Sequence, residues 1–102
     1  MLVVLTTTPD AGEANRIARL IVEEKLAACV QILPGMTSVY FWEGKIQTEG
    51  EHLLLIKTLP EKFDQLTAFI KQHHSFEVPE IIAIDAEKVS EDYLSWVRSS
   101  IT

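Results

Sequence analysis

Basic residues are scarce in this chain. Nine lysines and arginines stand against fifteen aspartates and glutamates, for a formal charge of −6 at pH 7. A surface of that sign repels phosphate backbones, which argues against a nucleic-acid-binding module and equally against a polybasic membrane anchor. Cysteine is rarer still: Cys29 stands alone, so neither an intrachain disulfide nor a CxxC metal or redox motif is available. No apolar run approaches the roughly 20 residues that a membrane-spanning helix needs. The opening Met1-Leu2-Val3-Val4-Leu5 lacks a basic leader region and a cleavage site, and with a single thiol the cytoplasm is the expected compartment. Four glycines leave no room for GxGxxG or a Walker A loop, and no nucleophile elbow is present. Nucleotide-binding and hydrolytic enzymes are therefore poor readings, and no catalytic residue is assigned.

What is present is an ordinary globular composition, 47% hydrophobic and 24% charged over 102 residues, which suits one domain covering residues 1–102. Leu2 to Thr8 is β-branched-rich and reads as a buried strand. Asp10 and Glu13 have capping-box spacing ahead of the stripe Ala14, Ile17, Ala18 and Ile21, which predicts a helix to about Lys25 or Leu26. Ala28 to Trp42 reads as extended, with Pro34-Gly35 marking a bulge or bend. Glu43-Gly44-Lys45 is a turn, and Ile46 to Thr58 returns as a second long strand. Thr58 and Glu61 suggest a second capping box before a helix with Phe63, Leu66, Phe69 and Ile70 inward, ending near His73-His74. Glu80 to Ala86 is the fourth strand, and Ser90 caps a last helix carrying Leu94, Val97 and Ile101. The order β-α-β-β-α-β plus a C-terminal helix predicts an α+β fold, a ferredoxin-like antiparallel sheet with helices on one face.

The long hairpin breaks the alternation expected of a sheet covered on one side. Val39 and Phe41 oppose Tyr40 and Trp42 in parity, and Leu53 and Leu55 oppose Leu54 and Ile56. Both faces are apolar, while the chain's own helices cover one. A 13-residue strand at ~3.3 Å per residue spans ~43 Å, beyond the roughly 33 Å diameter of a compact domain this size. The hairpin should project or bend, and the second face should be buried against other copies.

The stretch Leu26-Ala27-Ala28-Cys29-Val30-Gln31-Ile32-Leu33-Pro34-Gly35-Met36-Thr37-Ser38-Val39-Tyr40-Phe41-Trp42-Glu43-Gly44-Lys45 resembles the CutA divalent-cation tolerance proteins. So do Leu55-Ile56-Lys57-Thr58, His73-His74-Ser75-Phe76-Glu77-Val78-Pro79-Glu80 and Tyr93-Leu94-Ser95-Trp96-Val97. The resemblance implies a homotrimer, a link to copper and other divalent ions, and kinship in fold with trimeric PII-like signalling proteins.

By that resemblance His73 and His74 match histidines proposed as copper ligands. Read from the sequence alone they are better explained as a helix C-cap, where imidazole complements the helix dipole. The same resemblance places a cysteine ligand where this chain has Thr6, a hydroxyl poorly suited to Cu(I), so any copper binding is expected to be weak. Cys29 reads as packing, His52 as an exposed hairpin residue, and Glu43, Glu49 and Glu51 as solvated charge rather than a hard-cation site. The aromatics Tyr40, Phe41, Trp42, Phe76, Tyr93 and Trp96 suit an interface core. A cleft between subunits with Tyr40, Trp42, Lys57, Glu80 and Trp96 is the alternative, holding a small anion or metabolite.

Overall fold

The computed structural model describes residues 1–102. Four strands, β1 (Leu2–Thr8), β2 (Cys29–Trp42), β3 (Lys45–Thr58) and β4 (Ile82–Asp85), form one sheet in the order β2-β3-β1-β4. Every neighbouring pair is antiparallel. Three helices, α1 (Ala11–Glu23), α2 (Phe63–His73) and α3 (Glu91–Ser100), complete the chain, with a single 3-10 turn at Pro60–Lys62. The main core lies between the sheet and α1 and α2. Val4, Leu54 and Ile56 meet Ala14, Ile17, Ile21, Leu66 and Ile70 there, all of them buried. A smaller cluster of Leu59, Val97 and Ile101 seats α3.

Helix α1 starts as its spacing predicts, because Asp10 Oδ1 accepts the Glu13 N–H at 2.8 Å. The reciprocal half of the capping box is absent; the Glu13 carboxylate instead accepts the Ser75 N–H at 3.0 Å. The helix stops at Glu23, short of the predicted Lys25 or Leu26. Lys25 adopts φ +56°, and the N–H groups of Lys25 and Leu26 reach back to the carbonyls of Val22 and Ile21. That is a Schellman ending built without glycine, closed by the apolar pair Leu26 and Ile21. Left-handed backbone costs a residue with a Cβ about 1–2 kcal/mol. Lys25→Gly is therefore expected to raise stability by about 0.5–1 kcal/mol after glycine's entropy is counted, readable in denaturant unfolding. The second capping box does not form. Thr58 is fully buried and its hydroxyl donates to the Leu26 carbonyl at 2.7 Å, while Leu59 precedes the 3-10 turn with no side-chain cap. Ser90 caps α3 as expected.

In the long hairpin, Leu33 pairs with Leu53 and Met36 with Glu51, so Pro34 and Gly35 stand opposite the single residue His52. This is a β-bulge, with Gly35 at φ +73°. Beyond it the strands continue as an arm, and the molecule measures 45 × 25 × 22 Å. The register places Val3, Leu5, Leu53, Leu55, Ile82 and Ile84 on the face opposite Val4, Leu54 and Ile56. Ile82 and Ile84 are about half exposed there, and on the arm Val39, Phe41 and Ile46 are at least two-thirds exposed. Strand β4 is shorter than the predicted 80–86. Continued pairing would bring Glu80 to Thr7, but the Thr7 carbonyl is taken by the His74 ring.

Candidate functional site

A cleft of about 460 Å³ lies between the arm and the loop joining α2 to β4. The register puts Tyr40, Trp42 and Glu51 on one face of the arm, and all three line the cleft. Ser75, Phe76, Glu77, Val78 and Glu80 face them from the loop, and Thr7 and Glu43 complete the lining. The Tyr40 phenol is pushed above its ordinary pKa, first by partial burial and then by the Glu49 and Glu51 carboxylates. It stays a neutral hydrogen-bond donor across the physiological range.

The loop is held by His74, whose side chain is wholly buried. The Phe76 N–H donates to Nδ1 at 2.9 Å, so Nδ1 is the acceptor nitrogen and Nε2 carries the proton. Nε2 in turn donates to the Thr7 carbonyl at 2.6 Å. Glu13 Oε2 lies 3.5 Å from Nδ1. One imidazole thus joins the loop to β1 beside a carboxylate from α1, and the Phe76 ring packs at 4.9 Å from it. His73 belongs to different surroundings: its ring lies 4.2 Å from that of Phe69, and its carbonyl accepts from Arg16.

Of the residues singled out in the sequence, Tyr40, Trp42 and Glu80 meet at this cleft. Lys57 sits towards the other end of β3, ~20 Å from Glu51 at strand spacing, where it donates to Gln31 Oε1. Trp96 lies on α3 with its ring 5.6 Å from that of Tyr93, and burial followed by Cys29 raises the Tyr93 pKa. Thr6 is fully buried on the helix face with no partner for its hydroxyl. His52 is not the exposed residue expected: it is half-buried, with Nδ1 sealed from solvent. Glu51 is the largest departure, since a solvated charge was expected and it is 6% exposed. Its only signal in the sequence is its place beside the Pro34-Gly35 bulge, which aims that stretch of β3.

For a resident copper ion the donor set does not fit as it stands. Both ring nitrogens of His74 are engaged, and no group of three or more His, Cys, Asp or Glu is placed to hold a metal ion.

Residues 2–100 match the family model described as CutA1 divalent ion tolerance protein. The chain belongs to this family. It is 46% identical over 99 residues to the rice protein CutA 1, chloroplastic, covering 97% of this chain and 56% of that one. It therefore spans little more than half the length of that relative. A divalent-cation tolerance protein CutA from Yersinia pestis is 44% identical over 100 residues, covering 98% of this chain and 84% of its own. Among solved structures, the divalent cation tolerance protein Cut A1 of Thermus thermophilus superposes with a TM-score of 0.95 at 43% identity, over the whole of both chains.

Proposed function

We propose that this CutA1-family chain acts in divalent-cation tolerance as a non-enzymatic homotrimer of ferredoxin-like subunits in the cytoplasm. The observation that carries the reading is the apolar sheet face left uncovered by α1 and α2. Ile82 and Ile84 are half exposed on it and Phe41 is 70% exposed on the arm. At about 25 cal/mol per Å² of apolar surface removed from water, joining such faces favours assembly strongly; the number three comes from the family resemblance. Copper or another divalent ion is cargo here rather than a resident cofactor. The net charge of −6 concentrates cations near the surface, and His73 offers an imidazole without the two ring hydrogen bonds that occupy His74. Binding is therefore modest and weakens in acid, because protons and metal compete for imidazole.

A second reading, a PII-like trimer that binds a small ligand between subunits, draws support from the cleft. Native mass spectrometry of untagged protein, with and without Cu(II), tests the trimer and the metal role together. The expected result is a three-chain species that gains Cu(II) weakly at neutral pH. A folded single chain at micromolar concentration overturns the trimer, and no Cu(II) uptake at millimolar metal overturns the cargo role.

A further inference from the structure

We propose that the cleft between the arm and the α2–β4 loop binds a small organic cation, an amine or guanidinium on a short carbon chain, with the Glu51 carboxylate as its counter-ion. This does not rest on the metal role, but it requires that the cleft stay open in the assembled protein, because Glu51, Tyr40 and Trp42 share the sheet face of Leu53 and Leu55.

Glu51 carries the argument. It is only 6% exposed, lines the cleft, and takes part in none of the chain's side-chain hydrogen bonds or ion pairs. Its oxygens are not among the sealed atoms of the chain, so the carboxylate opens to the cleft, and nothing in the chain pairs it. The rest of the lining sets the sign and shape of the missing partner. Glu43, Glu77 and Glu80 add negative charge and no lining residue is basic, so an anionic metabolite is repelled. The carboxylates come from the hairpin turn, β3 and the loop, and do not converge as three metal donors. A bare Mg²⁺ or Ca²⁺ needs about six or more oxygens at roughly 2.0–2.6 Å and finds no such cage. The aromatic residues Tyr40, Trp42 and Phe76 supply what a metal ion does not use and an organic cation does: apolar area for a carbon chain, and negative ring faces for its charged head. A volume of about 460 Å³ suits a small molecule.

The test is a fluorescence titration in a Trp96→Phe background, which leaves Trp42 as the sole tryptophan. 1,4-Diaminobutane is the probe, with uncharged 1,4-butanediol and MgCl₂ as controls at equal ionic strength. The diamine is expected to give a saturable change in Trp42 emission below about 10 mM, and the diol and Mg²⁺ none. Glu51→Gln, nearly isosteric, is expected to weaken diamine binding about tenfold or more, the scale of one lost charge-assisted hydrogen bond. Trp42→Leu, followed by calorimetry, is expected to weaken it about threefold through loss of the ring face; this second variant decides the matter if Glu51→Gln fails to fold. Absence of saturation, an equal response to the diol or Mg²⁺, or undiminished binding in the Glu51→Gln protein overturns the proposal. So does a Glu51→Gln protein that dissociates, because the partner of Glu51 is then a basic side chain of another copy. Native mass spectra of the same samples read the trimer separately, so failure of either idea is visible without the other.

Discussion

Ile84→Glu is expected to convert the assembled protein into single chains of 11.5 kDa. Ile84 pairs with Val3 on the open face of the sheet and is 51% exposed in one chain. A charged side chain at such a position changes the stability of an isolated subunit by only about 0.5 kcal/mol. In a homotrimer the same carboxylate is buried three times over, at a cost of several kcal/mol per ion. The direct cost therefore falls on assembly, and the subunit loses stability only through the loss of its partners. Phe41→Glu, at the 70% exposed arm position, is expected to act the same way if the arm is also clasped. Native mass spectrometry at micromolar concentration reads both variants. An Ile84→Glu protein that remains three-chained removes that face from the interface and leaves the arm as the contact to test. Because subunits with a wet apolar face are poorly stable, dissociation is also expected to make thermal unfolding concentration-dependent.

The second large effect separates the two neighbouring histidines. His74→Ala removes a wholly buried ring together with its bonds to the Thr7 carbonyl and the Phe76 N–H. At about 1 kcal/mol for each hydrogen bond, plus the cavity left by the ring, the loss is about 2–4 kcal/mol. His73→Ala loses a partly exposed ring resting on Phe69 and is expected to cost less than about 1 kcal/mol. Copper binding is expected to rank them the other way. Loss of His73 should remove most Cu(II) uptake, since His74 has both ring nitrogens engaged. Urea unfolding and Cu(II) calorimetry on the two single variants check the pair. Full copper affinity in His73→Ala assigns the metal elsewhere, and a His74→Ala protein as stable as the parent removes the clamp role.

The strand and helix order was legible in the sequence because it rests on local signals. The periodicity of Ala14, Ile17 and Ile21, the Ser90 cap and the Glu43-Gly44 turn all lie within a few residues of what they specify. The end of α1 was not, because Lys25 occupies a left-handed position that glycine usually marks. The length of β4 was not either. It is set by a side chain from before the strand, His74, reaching the sheet edge where pairing would continue. Tyr40, Trp42 and Glu80 were legible as cleft residues, but Lys57 and Trp96 were grouped with them only by residue type. Glu51 went unseen for a physical reason: alternation shows that two residues share a face, but not which non-local loop that face meets.

The bulge at Pro34-Gly35 also constrains how the gene can change length. Side chains alternate with a period of two along a strand, and the bulge adds one residue to β2 that β3 lacks. Deleting either Pro34 or Gly35 without compensation exchanges the two faces of β2 beyond it, turning Val39 and Phe41 toward the cleft and Tyr40 and Trp42 away. Insertions at the tip behave differently. Adding two residues to each strand beside Glu43-Gly44 lengthens the arm by ~7 Å and leaves every side chain on its present face. The hairpin tip can thus drift in length by paired steps, while loss of a single codon at the bulge exchanges the faces of β2 beyond it.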